Sequence, residues 1–497
     1  MSSAEKLAAS AAPAATESTE SILETIFNEG IKPTGADEKR HATQLIETFV
    51  DTQLQPGMVI SNDTQRTIDA WMSVIDKKIS DQLNLVMHHE DFQKLEGSWR
   101  GLHYLVHETE TSTELKIKVL NVTKKDLIKD LENASEFDQS ALFKKVYGEE
   151  YDVFGGHPFG CLIGDYEFGK LPQDIALLGR VAEVAAAAHA PFLSAAAPQM
   201  FGMETFTDLG KPRDMAKIFD NVQYAKWASF RESEDSRYVG LTMPHTLMRL
   251  PYGRETKPVE EFDFEEDVDG RDHKKYLWGN AAYALGTRIT ESFAMCGWLA
   301  TIRGVENGGL VQGLPVHTFE TDDGEVAMKC PVEIAIGDRR EKELSDLGFI
   351  PLIHCKNTDY AAFFATQSCQ KPTKYDTPEA NANAKLSTAL QYLLCVSRFA
   401  HYLKAMARDK IGAFMEREDC ERWLNRWINN YTLGNPEIAG PKAKAERPLR
   451  EAKIVVKDDP ARPGCYEAQA FLRPHFQLEE LSVGLSLVAK LPQSKGS

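Results

Sequence analysis

The chain has 497 residues, 42% of them hydrophobic, and a formal net charge of −17. That length supports on the order of two to four domains with a large core, and the acidic balance excludes a broad basic groove for nucleic acid, because phosphate neutralisation dominates such binding. No run of about 18 apolar residues marks a membrane span, and no basic n-region backed by an apolar stretch marks a secretory signal.

Residues 1–20 are rich in Ala and Ser and are expected to be disordered. The arm ends in SILETIFNEG (21–30), a short helix by its pattern. Ser21 and Glu24 form a capping box, Gly30 follows the last turn, and Ile22, Leu23, Ile26 and Phe27 share one face. A helix of about eight residues is marginal alone in water. It needs a surface, either on its own domain or on another protein.

From 65 to 87, Ile68, Trp71, Met72, Ile75, Ile79, Leu83, Val86 and Met87 recur at helical spacing. The stretch HHED (88–91) breaks the pattern, and Phe92, Leu95, Trp99, Leu102, Leu105 and Val106 resume it. Two such helices form a hairpin, or an elbow that packs on something else. LKIKVLNV (115–122) alternates apolar and polar residues, as a strand does. Then follow a helix at 124–135, a strand at 159–168, a helix at 173–190 and strands at 191–197 and 237–244. The helix KYLWGNAAYALGTRITESFAMCGW (275–298) leads into a strand, LATIRGV (299–305). A hairpin at 317–329 turns at Asp323-Gly324. EKELSDLG (341–348) is a helix and FIPLIHC (349–355) a strand.

Beyond residue 375 the texture changes. One long helix is expected over 380–412, another over 420–432, and a Pro-, Lys- and Ala-rich linker over 435–450. AKIVV (452–456) and CYEAQAFL (465–472) are strands, and LEELSVGLSLVAK (478–490) is a third. A lone strand pair is marginal in water, so these strands join their own sheet or take a strand from a neighbour. The fold class is α/β: a mixed, partly parallel sheet flanked by helices, with an N-terminal helical segment and a C-terminal helix-plus-strand domain.

The search for chemistry yields little. GDYEFGKL (164–171) has P-loop-like spacing, but Leu171 stands where a metal-binding hydroxyl belongs and Pro172 follows at once. His88 and His89 are adjacent, so on a helix they diverge by about 100° and chelate poorly. His157, His189, His245 and His401 are isolated and suit packing roles. The acidic run 259–270 lacks EF-hand spacing and suits a solvated loop. Eight scattered cysteines, with no C-x-x-C pair, indicate reduced, buried thiols and a cytosolic compartment. No catalytic, cofactor-binding or metal-binding residue is assigned. The rival to a non-enzymatic role is a cytosolic nucleotide-dependent enzyme built on GDYEFGKL.

LEGSWRGLHYLV, GCLIGDYEF, AAAAHAPFLSAAAPQMF, FRESEDSRYVGLTMPHTLMRLPYG, GWLATIRGVENGGLVQGLPVHTF and LRPHFQLEELSVGLSLVAKLP closely resemble the large sheath subunit of the bacterial type VI secretion system, the VipB/TssC family. The likeness runs in order from about residue 60 to the C-terminus. It implies a structural subunit that pairs with a small sheath subunit (VipA/TssB-like) and polymerises with other copies around an inner tube of hexameric rings. The sheath, joined to a baseplate, contracts in the cytoplasm, and a Clp-type AAA+ ATPase then dismantles it. By this resemblance Ile22, Leu23, Ile26 and Phe27 are the ATPase handle. Trp71, Ile75, Ile79, Leu83 and Trp99 are small-subunit anchors, with intrachain core as the alternative for each. Ile454, Val455, Val456, Tyr466, Ala468 and Ala470 exchange strands between protomers. The expected parts are an arm (1–60), a pairing segment (61–110), a central α/β domain (111–375) and a C-terminal domain (376–497).

Overall fold

The computed structural model describes residues 64–477, apart from 212, 213, 261, 322, 414, 415 and 459–464, and a short helical piece within 35–45. The helix carrying Ile22–Phe27 and the strand expected over 478–490 lie outside the described residues. The chain divides into two compact units, Met1–Met87 with Tyr252–Asp267, and His88–Pro251 with Val268–Ser497.

In the first unit the long apolar repeat forms helix α1, Thr64–Met87. Its Asn84 side chain donates to the Glu265 carbonyl and accepts from the Asp267 amide, both at 3.1 Å. The acidic run is therefore a loop tied to a helix by backbone bonds. Glu266 turns its carboxylate inward to accept from the Tyr252 amide at 2.8 Å, and Arg254 pairs with Asp263.

The second unit is organised by a six-stranded sheet. Its strands are β1 (Leu162–Phe168), β2 (Phe192–Ala196), β3 (Val239–Met243), β4 (Leu310–Val311), β5 (Ile350–His354) and β6 (Ala361–Phe363). They lie in the order β1-β2-β3-β5-β6-β4, with the first four parallel and the last two pairings antiparallel. Helices α2 (Glu90–His107), α3 (Lys124–Asn133), α4 (Pro172–Ala187) and α5 (Ala282–Cys296) belong to the same unit. Both α4 and α5 pack on β1–β3, and every residue of β2 and β3 is buried. That explains why these strands show no apolar-polar alternation, their Ser194 and Thr242 being buried and hydrogen-bonded to backbone carbonyls. Phe168, Phe201, Phe206, Phe349 and Phe363 are completely buried in the core, each contributing roughly 1.5–3 kcal/mol by burial.

Helix α6 (Asp338–Asp346) precedes β5, and the C-terminal region adds α7 (Pro378–Ser387), α8 (Leu390–Asp409), α9 (Arg417–Ile428), α10 (Pro441–Glu446) and the antiparallel strands β7 (Leu449–Asp458) and β8 (Tyr466–Pro474). They surround a second cluster in which Trp298 stacks on Phe399 at 4.0 Å, with Leu424, Ile428, Leu449, Ile454 and Val456 buried around it.

Four expectations are corrected. LKIKVLNV forms no strand, because no other strand among the described residues lies against it. LATIRGV forms a loop: Gly304 has φ +75°, its amide donates to the Phe363 carbonyl at 2.7 Å, and Arg303 donates to the Phe364 carbonyl. The helix expected over 380–412 is two, α7 and α8. Residues 388–390 pair with 366–368, Ser368 donating to the Thr388 carbonyl and the Leu390 amide to Thr366, which draws Ala389 into extended backbone at φ −81°, ψ 127°. The helix expected from 275 begins at Ala282, since Trp278–Gly279 pairs with Thr246–Leu247 instead. The hairpin at 317–329 forms, with Gly324 at φ +77° in its turn.

Helix α2 is placed by an absence of side chain. Gly97, Gly101 and Leu105 form its buried face, and a Cβ on Gly101 would lie 2.4 Å from the Tyr283 ring. Glu96 adds a buried ion pair with Arg249 at 2.7 Å. Replacing Gly101 by Val should therefore push α2 off α5 and cost about 1–3 kcal/mol. Urea unfolding of the variant checks this, and unchanged stability would contradict the packing.

Candidate assembly surfaces

Opposite its glycine face, α2 presents a second apolar stripe. Phe92, Leu95, Trp99 and Val106 lie at helical spacing and are all exposed, Trp99 by 66%. The repeat read in the sequence as one face is thus two: Leu105 turns to the core, Leu102 is half-buried and the others turn outward. On α1, Ile75 and Ile79 are exposed, with Met72 and Val86 beside them, whereas Trp71 and Leu83 are half-buried. A soluble chain seldom leaves such stripes bare, and their usual meaning is a partner surface.

The C-terminal hairpin carries a different kind of unmet surface. In β7 the Ile454 amide donates to the Asn425 side chain at 2.9 Å, and that side chain donates back to the Ile454 carbonyl at 2.7 Å. The Val456 amide donates to Glu421 at 3.0 Å. Ile454 and Val456 therefore direct their backbone groups at α9, away from β8, and their side chains are buried. In an antiparallel ladder the residues facing them behave likewise. Those residues are Ala470 and Ala468, so their amides and carbonyls point outward on the far edge of β8. By the same alternation Tyr466 and Leu472 join them, while Val455 pairs inward with Gln469. Among the described residues nothing bonds to that edge. The six residues expected to exchange strands fall into two groups. Ile454, Val455 and Val456 are held between α9 and β8. Tyr466, Ala468 and Ala470 lie along an open, small-residue edge.

The P-loop-like stretch is mostly strand. Residues 162–168 are β1, the Gly169 amide is taken by the Asp174 carboxylate at 2.8 Å, and Pro172 opens α4. A phosphate cradle needs several amides converging from a loop, and this segment spends them on a sheet. No group of His, Cys, Asp and Glu suited to a metal ion occurs among the described residues. All eight cysteines are free. Burial pushes the Cys161, Cys369 and Cys395 thiols up to about 12, whereas Cys355 and Cys465 are exposed, contrary to a wholly buried set.

His245, expected to be a packing residue, is instead the cation of a buried network. Its Nδ1 donates to Glu333 at 2.5 Å and its Nε2 to Glu167 at 3.0 Å. Glu333 also takes the His273 ring at 2.9 Å and the Phe206 amide at 3.1 Å. Burial alone would lower the His245 pKa, but the two carboxylates raise it to about 10. Burial likewise opposes ionisation of Glu333, and its two histidines overcome that and hold it at about 2. Nothing in the sequence pairs residues 167, 245, 273 and 333, which come from four separated segments.

These surfaces and this cross-braced interior define a subunit made for assembly, and by class the chain is a tail-sheath protein. The EvpB tail sheath N-terminal domain matches residues 69–370, and the tail sheath gpW/gp25-like domain matches residues 379–491. A Pseudomonas aeruginosa protein named type VI secretion system sheath protein TssC1 is 52% identical over 482 residues, 97% of each chain. The chain belongs to the VipB/TssC family of type VI secretion sheath proteins and is a structural sheath subunit. A cryo-EM structure of the anti-feeding prophage baseplate aligns over 76% of this chain and 83% of its own, with 8% identity and a TM-score of 0.39, too slight a likeness to bear on fold or assembly.

The network makes a pH prediction. A His pKa raised from 6.5 to about 10 means its contribution is complete below 6.5 and is lost as pH climbs to 10. Lowered from 4.5 to about 2, Glu333 contributes above 4.5 and loses its share as pH falls to 2. His245→Gln should cost on the order of 3–5 kcal/mol, as breaking a buried pair does. In urea melts across pH the loss should be greatest between pH 4.5 and 6.5 and shrink toward pH 10. A pH-independent loss would contradict a charged His245.

Proposed function

We propose that this sheath subunit pairs with a small sheath subunit, polymerises with its own copies around an inner tube, and contracts against a baseplate in the cytoplasm. A Clp-type AAA+ ATPase then dismantles the contracted form. The observation that carries this reading is the edge of β8, open among the described residues and presented by a hairpin whose other edge is held to α9 at Ile454 and Val456. Such an edge is a template for a strand from a neighbour. Strand links that stay bonded while domains turn about them suit contraction by rigid-body rearrangement. The exposed stripe of α1, which includes Ile75 and Ile79, and that of α2, which includes Trp99, each suit docking of the small subunit. Residues 1–60 serve as a tether for the ATPase handle, 61–110 as the pairing segment, 111–375 as the central domain and 376–497 as the linking domain. A single short helix binds weakly, and a polymer displaying many copies raises its effective affinity.

Two measurements test this. Ala468→Pro or Ala470→Pro removes one outward amide from β8 without touching the ladder to β7. Each variant, co-expressed with the small subunit, should fold and co-purify yet give no tubules in negative-stain images. Normal tubules would remove strand linkage through this edge. Leu23→Asp with Phe27→Asp should leave assembly and contraction intact and abolish ATPase-driven disassembly. Disassembly at the unaltered rate would remove the handle assignment.

A further inference from the structure

The segment LKIKVLNV has the pattern of a strand, and the structure leaves it without one. From Leu115 to Thr123 the backbone runs with no helix, turn or bend. Burial alternates at its start: Leu115 and Ile117 are half-buried, and Lys116 and Lys118 are exposed. Further along, Val119 is 67% and Leu120 50% exposed. The segment is nevertheless held in place. Ser112 donates its amide to the Leu115 carbonyl and accepts from the Leu115 amide, the Tyr166 hydroxyl donates to the Val122 carbonyl at 2.7 Å, and Thr123 caps α3. Lys118 pairs with Glu150, and the Lys116 ammonium lies 3.3 Å from the His157 ring. Between these anchors, from Lys116 to Asn121, no backbone amide or carbonyl has a hydrogen-bond partner among the described residues.

We infer that residues 116–121 are a second strand-docking edge, filled by an extended segment of the small sheath subunit. This rests on the proposed pairing with that subunit and goes beyond it by naming where the two backbones join. A pre-extended, pinned and unbonded segment is what strand addition needs, since the ordering cost is already met. The occupant follows from charge and position. Lys118 and Lys124 are paired within the chain, with Glu150 and Asp174, but Lys116 and Lys125 have no carboxylate partner among the described residues and leave the stretch with a positive excess, so its complement carries acidic residues among apolar ones. Another copy aligned in parallel register on the same stretch would set lysine against lysine. The segment also follows α2, whose exposed stripe ends at Val106, after the short link 108–115, whereas the β8 edge is the one assigned to neighbouring copies.

Backbone hydrogen exchange of the full-length chain, co-purified with the small subunit, tests the assignment. In the complex the amides of 116–121 that face the incoming strand should exchange at least about 100-fold slower than an unstructured chain. Val119→Pro and Leu120→Pro remove successive amides, one of which must face the partner. At least one should return the segment to fast exchange and cut co-purification more than about tenfold, with the monomer's circular dichroism unchanged. Val119→Ala should behave as the unaltered chain. A stable complex whose 116–121 amides exchange at unstructured rates overturns the docking edge and leaves the subunit pairing intact. Protection that appears only in tubules, and not in the heterodimer, assigns the edge to a second copy and overturns the choice of occupant. Failure of the two chains to associate overturns the pairing and this inference with it.

Discussion

Asn425 bonds both backbone groups of Ile454, and this one exchange decides the character of the C-terminal region. A two-stranded sheet has two raw edges, each a row of unpaired amides and carbonyls. With Asn425 and Glu421 on one of them, β7 is fixed to α9 and its Ile454 and Val456 side chains are buried in the second core. Among the described residues the outward amides and carbonyls of Tyr466, Ala468, Ala470 and Leu472 are then left without partners on the far side of β8. Ala468 and Ala470 stand there, with no bulk to keep another strand away. Natural edges are usually guarded by charge, proline or a covering element. Among the described residues nothing covers this edge, which is a liability in a monomer and, in the proposed polymer, a connector.

Other parts of the molecule follow the same division between a satisfied interior and an unsatisfied exterior. The parallel strands are covered by α4 and α5, and the network around His245 joins the end of β1 to three distant loops. Helix α2 has to serve both sides. Its glycines let it settle against Tyr283, and that close seat turns Phe92, Leu95, Trp99 and Val106 outward. In the proposed contracting sheath, load entering through the exterior would reach a core held by buried charge pairs and close packing. None of it requires a reacting pocket, and the stretch nearest to a nucleotide motif is committed to β1.

The alternation of elements, and hence the α/β class, was legible because buried parallel strands and amphipathic helices leave strong periodic marks. The misreadings have local causes. LKIKVLNV carries the pattern of a strand whose partner is not found among the described residues. LATIRGV is apolar enough for a strand, yet Gly304 turns it and β6 satisfies its backbone. No breaker separates Ser387 from Leu390, so only pairing with residues 366–368 could end α7. For the candidate surfaces, the identities of Ala468, Ala470 and Trp99 were legible, but the split of the hairpin into a closed and an open edge was not. That split depends on Asn425, which lies 29 residues from its partner. The His245 network was invisible for the same reason, its members being dispersed along the chain.

The most direct test of the account is the structure of the assembled tubule by electron cryo-microscopy, read at the outer edge of β8. The account predicts a further strand, contributed by another chain, bonded to Tyr466, Ala468, Ala470 and Leu472. A tubule in which that edge faces only solvent, with the protomers joined elsewhere, would contradict it.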